Sequence, residues 1–532
     1  MRKEWEMCAG QVFETEFYPK ETVFYTFRVH TKQGEAVYGK NGFRSEDAFQ
    51  ITVYTPQKIV KSFAEGAVYQ IFPDRFCPGG TREKCGIERK WGEVPYYKAE
   101  QFGGQYTAND FFGGTLWGVA EKLPYIKEMG FNWIYLNPIF DTSSNHGYNT
   151  RDYMHVAMHL GGDAAFDYLV KRAKEMDMHL MLDGVFSHTG DDSIYFLSAK
   201  NDKNSPYREW YSFLEHPPYY ESWWGIPTLP NVREETPSYM QFMLSRDGVI
   251  RHYIRHGADG WRLDVADELP DGFLDGLRDA AKAEKESSVI IGEVWEDASN
   301  KISYGKRRRY LTGRQLDGVT HYPMRNAILD FVRERIHAAE FAERVMCILE
   351  NYPPTCILSA LSFLSGHDTE RVLTLLGDAP EGLSKDAAAS YRLSSEQRSL
   401  ARRRLSIALM LLVSMPGVPC VFYGDEAGME GYGDPFCRGT FLWGEEDTEI
   451  REIYRTILGY RKENSDLIYG KVSFFWKEGR ALGFWRGETA VFINGGREEA
   501  QIPFGEEIVF LPPMTYCTKK DCGNRSAGYY EV

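Results

Sequence analysis

The sequence predicts an α/β protein built on a parallel (β/α)8 barrel. Three observations carry that prediction. From residue 67 onward, short apolar runs of strand length alternate with segments of helical period. There are eight such runs. Four of them end in acids or histidines, where a barrel of this kind keeps its chemistry.

The first 65 residues come before that rhythm. They alternate in strand fashion (VFYTFRVHT, AFQITVYT) and read as a partial N-terminal β module, residues 1–66, with a linker from Lys58 to Gly66. The barrel strands are then 68-VYQIF-72, 132-NWIYLNP-138, 179-HLMLDGVF-186, 260-GWRLDV-265, 289-VIIGEV-294, 318-GVTHYP-323, 357-ILSALSF-363 and 417-GVPCVFYG-424. The helix 163–177 has Asp163 as its expected N-cap and Phe166, Leu169, Val170 and Ala173 on one face. About seventy residues separate the third strand from the fourth, too many for a loop. That stretch is rich in aromatics and proline (YREWYSFLEHPPYYESWWGIPTLP) and reads as an inserted subdomain, residues 189–249, leading into a helix over 237–257. The barrel occupies 67–188 and 250–465. Renewed alternation (KVSFFW, ALGFWRG, TAVFINGG, EIVFLPP) makes 466–532 a C-terminal antiparallel β domain.

Composition narrows the partners. A formal net charge of -14 argues against nucleic acid or an anionic membrane. No run reaches the roughly 20 apolar residues of a membrane span. The beginning, MRKEWEMCAGQVFETEF, has no apolar signal core, and nine cysteines without a CxxC pair suit reduced thiols, so a cytoplasmic protein is expected. Cys517 and Cys522 alone are near enough in sequence to suggest a disulfide. Aromatics at 14% exceed what a core needs and suit flat ligands such as sugar rings.

The stretch 259-DGWRLDVADE-268 is the most informative. Residues i and i+2 of a strand share a face, so Arg262 and Asp264 project together while Trp261, Leu263 and Val265 project the other way. Asp183 and His188 stand at the end of the third strand, Glu293 at the fifth, and His367 and Asp368 at the seventh. Each residue alone is ordinary. Together they are an acid at each of four strand ends, with no phosphate loop, nucleotide fingerprint or HExxH spacing. Paired carboxylates suit glycoside hydrolysis, one attacking and one protonating the leaving oxygen. Arg262 is expected to keep its neighbouring aspartate ionised.

These motifs, in this order, resemble the α-amylase family, glycoside hydrolase family thirteen. YQIFPDRF, NHGYNT, DGVFSH, GWRLDVADE, GEVW and SGHD match from about residue 67 to 440. Within the family, GEVW followed by DA, GDPFCR, YGDEAGM and the Tyr-Pro after the sixth strand are similar to the neopullulanase, cyclomaltodextrinase and maltogenic amylase group. The resemblance implies that Asp264 is the nucleophile, Glu293 the general acid/base and Asp368 the acid that grips the sugar. It implies that Asp183, His188, Arg262, His367, His146 and Tyr148 line the cleavage subsite, with Tyr148 as stacking platform. Asp434 and Arg438 hold the next sugar, Trp295 lies on the acceptor side, and Trp223 and Trp224 wall the cleft. Glu268 serves either the acceptor subsite or a helix start.

The implied activity is a retaining α-glucan hydrolase acting on α-1,4 and some α-1,6 bonds of maltooligosaccharides, cyclodextrins or pullulan, with sugar transfer in some members. An exo-acting α-glucosidase, an oligo-1,6-glucosidase, a sugar isomerase and a non-catalytic glycan binder remain as alternatives. No cofactor is expected. Ser187 stands where the family often has a calcium-serving Asn, and the loop CPGGTREKCGIERK is poor in oxygen ligands, so the calcium pattern is incomplete. Glu296 stands where the nearest group often has His. The N-terminal module resembles only the back half of the one relatives use to dimerise, so the oligomeric state stays open.

Overall fold

Alternation along eight short strands builds a barrel and sorts its two faces. The computed structural model describes residues 2–7, 10–14, 17–31, 34–40, 42–43, 47–216 and 219–520. The barrel strands are β1 (Val68–Ile71), β2 (Trp133–Leu136), β3 (His179–Gly184), β4 (Gly260–Leu263), β5 (Val289–Gly292), β6 (Gly318–Val319), β7 (Leu361–Phe363) and β8 (Val418–Phe422). All pair in parallel, in the order β6-β5-β4-β3-β2-β1-β8-β7. A parallel bridge from Thr320 to Leu361 joins the two outer strands and closes the ring.

Outward residues such as Tyr69, Ile134, Leu182, Trp261, Leu263 and Ile290 pack on the surrounding helices. Inward residues make a second apolar cluster, among them Val68, Tyr135, Met181, Ile291, Phe363 and Cys420. The same alternation carries the interior from apolar at the strand starts to polar at their ends, from Met181 to Asp183 and from Ile291 to Glu293. A barrel is a packed core with its chemistry at one rim, and here the rim is the C-terminal one.

Four local expectations are corrected. Residues 58–66 are more than a linker: a short helix, Lys61–Ala64, sets Phe63 edge-on to Trp133 at 5.0 Å and seals the barrel floor. Asp163 lies inside the first turn of the helix Gly162–Glu175, whose N-cap is Gly161; its carboxylate accepts the Val156 N–H at 2.8 Å. The helix expected over 237–257 is two, Pro237–Leu244 and Val249–Arg255. The chain folds back between them so tightly that a Cβ on Gly248 would stand 2.8 Å from the Met243 backbone. The seventh strand begins only at Leu361, because Pro354–Leu358 is helical.

The N-terminal strands Val23–Tyr25 and Phe49–Ile51 pair beside the barrel, and Gln50 meets Asn300 at 2.9 Å in the loop after β5. At the other end, strands 472–478, 481–486, 489–494 and 515–520 form one antiparallel sheet beside the hairpin 500–504/507–511. Cys517 is a free thiol in that sheet; Cys522, its suggested partner, lies outside the described residues. Among the described residues no helix is long and apolar enough to cross a membrane.

Candidate active site

Arg262 organises the rim. It points inward from β4 and is only 2% exposed. One guanidinium nitrogen lies 2.8 Å from Asp183 Oδ1 and 3.0 Å from Asp264 Oδ1; the other lies 2.8 Å from Glu293 Oε2. One cation therefore ties together three acids from three neighbouring strands. The Arg262/Asp264 shared face read from the sequence is present, but Val265 leaves the strand. It takes φ 34°, ψ 71°, a left-handed conformation that costs a β-branched residue about 1–3 kcal/mol. That turn aims the Val265 N–H at Glu293 Oε2, 3.0 Å away.

Charge does not balance in this half of the site. Burial pushes the Asp264 carboxyl well above its usual range; Arg262 pulls it back, and Glu293, Asp183 and Asp368 push it up again. The expectation that Arg262 keeps Asp264 ionised is thereby corrected: burial and the neighbouring acids outweigh the guanidinium, which three acids share. Glu293 also accepts the Trp295 indole N–H at 3.2 Å.

The opposite half is rich in cations and donors. Asp368 lies 3.0 Å from His367 Nε2 and 3.0 Å from Arg438, whose other nitrogen is 2.9 Å from Asp434. Although burial works the other way, His367, then Arg438 and Arg262, hold Asp368 well below the usual carboxylate range. Its side chain stays one-third open to the cleft, at 33%.

Between the halves runs a hydrogen-bond chain. The Tyr148 O–H donates to Asp183 Oδ2 at 2.8 Å, and its ring lies parallel to His367, 7° apart in plane and 5.5 Å between centroids. Gln70 donates to His367 Nδ1 at 2.9 Å, which leaves the ring proton on Nε2, facing Asp368. His188 gives its Nε2–H to the Tyr148 carbonyl at 2.9 Å and meets Ser187 Oγ through Nδ1 at 3.0 Å. Burial pushes His188 down to about 4 and His146 down to about 3, so both are neutral donors and acceptors rather than charges. His146 accepts the Tyr148 backbone N–H at 3.0 Å.

The structure brings every expected site residue to this rim or its margin. Trp295 stacks on Tyr322 at 4.4 Å and 14° and is half-exposed. Trp223 leans on His188 at 5.4 Å. Glu268 starts no helix; it ends a 3-10 turn, Ala266–Glu268. Tyr135, Gln70 and Asn137 belong to the same network and were missed. The Tyr135 O–H donates to Asp183 Oδ2 at 2.6 Å, and Asn137 donates to Tyr148 at 3.0 Å. A polar residue inside the apolar run VYQIF was the signal for Gln70; Tyr135 in WIYL gave none.

Near Ser187 and the loop after β1, the side-chain oxygens already have partners within the chain. Ser187 Oγ is engaged by His188. Asp74 and Asp110 are already faced by guanidinium groups: Arg75 lies 2.8 and 3.8 Å from them, and Arg89 lies 3.9 Å from Asp110. Among the described residues no group of three or more His, Cys, Asp or Glu is arranged to hold a metal.

A (β/α)8 barrel with an aspartate and a glutamate bridged at the ends of β4 and β5 is the equipment of a glycoside hydrolase. The chain belongs to the α-amylase family: the family's profile, alpha amylase catalytic domain, matches residues 70–502. It is 34% identical over 498 residues to an amylopullulanase of Thermoanaerobacter thermohydrosulfuricus, covering 82% of this chain and 32% of that one. It is 32% identical to a cyclomaltodextrinase of Thermoanaerobacter pseudethanolicus, covering 83% of this chain and 72% of that one. The cyclic α-maltosyl-(1→6)-maltose hydrolase of Arthrobacter globiformis superposes with a TM-score of 0.74 at 27% identity, over 87% of this chain and 99% of that one. The chain spans only about a third of the length of the amylopullulanases it matches.

Proposed function

We propose that this chain is a retaining α-glucan hydrolase that cleaves α-1,4 and α-1,6 bonds in maltooligosaccharides, cyclodextrins or pullulan, with transfer to sugar acceptors as a side reaction. The observation that carries the reading is the single guanidinium bridging Asp264 and Glu293. It holds the two carboxyls in one pocket, as a nucleophile and an acid must be. The names of the amylopullulanase and cyclomaltodextrinase relatives support the substrate class.

Asp264 attacks the anomeric carbon as its bond to the glycosidic oxygen breaks, and Glu293 gives its proton to that oxygen. Positive charge growing at the anomeric carbon favours an ionised Asp264, and negative charge growing on the leaving oxygen draws the proton from Glu293. Water, giving a proton to Glu293, then cleaves the glycosyl ester and frees Asp264. A sugar hydroxyl in place of water gives transfer. Asp368, held ionised, grips sugar hydroxyls with His367 and His146. Tyr148 supplies a ring face, Asp183 and His188 fix the Tyr148 and Arg262 positions, and Asp434 with Arg438 holds the adjoining sugar. No metal enters any step.

We also place the protein in the cytoplasm. Cys77, Cys85, Cys347, Cys356, Cys420, Cys437 and Cys517 are free thiols, as a reducing compartment keeps them.

A product profile tests the reading. Purified protein is incubated with β-cyclodextrin, pullulan and maltotriose, with Asp264→Asn as control. Maltose and glucose from the ring and panose from pullulan are expected. Glucose alone, from maltotriose only, would move the protein to the exo-glucosidases. No turnover, with the control indistinguishable, would leave a glycan binder. In a crystal structure the Asp264 and Glu293 carboxyls should stand roughly 5–5.5 Å apart.

A further inference from the structure

Two arms of the hydrogen-bond chain behind the cleft start on one amide and meet again on one phenol. Gln70 points into the barrel from β1 and is buried. Its Nε2 lies 2.9 Å from His367 Nδ1 and 3.2 Å from Asn137 Oδ1. The Asn137 amide donates onward to Tyr148 Oη at 3.0 Å, and His367 Nε2 reaches the same oxygen at 2.6 Å. Gln70, Asn137, Tyr148 and His367 therefore close a ring. Two acids stand just outside it: Asp183 Oδ2, 2.8 Å from Tyr148 Oη, and Asp368 Oδ2, 3.0 Å from His367 Nε2.

A proton count fixes the direction of every bond in the ring. An amide nitrogen carries two hydrogens and accepts none. Gln70 spends one on each arm. Asn137 thus presents its oxygen to Gln70 and its NH2 to Tyr148. His367 accepts at Nδ1, so its proton sits on Nε2, where Tyr148 Oη and Asp368 share it. Tyr148 Oη accepts from both arms, which leaves its single hydrogen for Asp183. Burial, then the charge of Asp183, pushes the Tyr148 phenol well above its ordinary range, so that hydrogen stays on the phenol. Turning the Gln70 amide over would reverse each step. Asn137 would offer Tyr148 its oxygen, Tyr148 would give its hydrogen to Asn137, and Asp183 would lose a donor. The His367 proton would move to Nδ1, and a bare Nε2 would face Asp368.

We propose that Gln70 is a positioning residue that sets the direction of this ring, so that Tyr148 and His367 both present hydrogens to the acids of the site. The same Asp183 holds Arg262 at 2.8 Å, so the ring also reaches the cation that bridges Asp264 and Glu293. The role of Gln70 in turnover rests on the hydrolase reading; the direction of the bonds does not. Side chains of nearly the same size differ sharply here. A glutamate in its ionised form accepts at both contacts, and a methionine donates at neither.

The first readout needs no turnover. In protein labelled with 15N in histidine, long-range proton–nitrogen NMR correlations report which ring nitrogen of His367 carries the proton, with His367→Asn identifying its signals. Nε2–H is expected in the wild type, and a shift of the proton to Nδ1 in Gln70→Glu. The wild-type result decides the proposal even if a variant fails to fold. The second readout is kcat/KM on maltotriose. Gln70→Glu should lose about 10²-fold at pH 7, the scale of a misplaced catalytic contact. Gln70→Met, which withdraws both donors without reversing them, should lose less. A protonated glutamate regains one hydrogen, so the ratio of Gln70→Glu to wild type should fall as pH rises from 5 to 8. A side chain that only filled space would leave that ratio flat. A His367 proton on Nδ1 in the wild type, or a flat ratio in a Gln70→Glu protein that melts like the wild type, overturns the proposal. A wild type with Nε2–H that turns over no glucan refutes the hydrolase reading and upholds the ring.

Discussion

The two halves of the cleft handle negative charge in opposite ways. Around Arg262, three buried acids share one cation, and burial drives Asp264 toward its neutral form. Across the cleft, one acid, Asp368, lies between His367 and Arg438 and is held as an anion. The first arrangement stores a proton that a reaction can move. The second holds a fixed charge that binds. A site that must both donate a proton and grip hydroxyls needs both environments, and neutral donors such as Tyr148, His188 and Gln70 separate them.

The largest expected effect is at Asp264. Asp264→Asn removes the nucleophile and should lower kcat on the order of 10⁵–10⁶-fold, the scale of losing a covalent nucleophile elsewhere. It should also raise the melting temperature at pH 7. A carboxyl whose pKa is raised by folding contributes stability below the ordinary range near ~3.9 and loses it as pH rises through the raised value. Asparagine escapes that loss. The gain should shrink as pH falls toward 4 in thermal unfolding scans. A variant less stable than wild type at pH 7 would break the comparison.

Arg262→Met comes next. It leaves three acids without their shared cation, and breaking a buried ion-pair set by removing one partner costs about 3–5 kcal/mol. Without the guanidinium, Asp264 is pushed further toward its neutral form, and its protonation relieves part of that cost, so the loss of stability should be greater at pH 8 than at pH 5. Activity should fall by about 10²–10³-fold. Denaturant titrations at the two pH values check the first expectation, and initial rates the second.

Asp368→Asn should give a smaller effect of opposite sign to Asp264→Asn. A carboxyl whose pKa is depressed by folding contributes stability above ~3.9 and loses it as pH falls through the depressed value. The variant should therefore melt below wild type at pH 7, with the gap closing as pH falls. The side chain is one-third open to the cleft, so solvent screens its pairs and the shift should be modest. Opposite signs for the two aspartates in one series of melts would sharpen the comparison more than any rate.

Much of this was legible in the sequence, for reasons that differ by region. The barrel strands were readable because strands buried on both faces must be apolar runs, and polar residues at their ends then stand out. That is how Arg262, Asp264 and Glu293 were found. Tyr135 was invisible by the same logic, since a tyrosine inside WIYL reads as core. The break between Leu244 and Val249 turns on Gly248 approaching the Met243 backbone, a tertiary contact that periodicity does not encode. The contacts of Glu268 were hidden by distance: it meets Trp224 and Tyr304, 44 and 36 residues away.

The smallest expected effect is none at all, and it tests whether every cation in and near the cleft belongs to the chain. Chelation by EDTA should change neither kcat on maltotriose nor the melting temperature. Calcium requires six to eight oxygen ligands at 2.3–2.6 Å in such sites. Here Ser187 offers one hydroxyl already engaged by His188, while Asp74 and Asp110 face Arg75 and Arg89. A guanidinium and a divalent ion cannot share one carboxylate pair without mutual repulsion. If EDTA lowered the melting temperature and calcium restored it, these arginines would have to move aside. The charge count that separates the two halves of the cleft would then need a further cation.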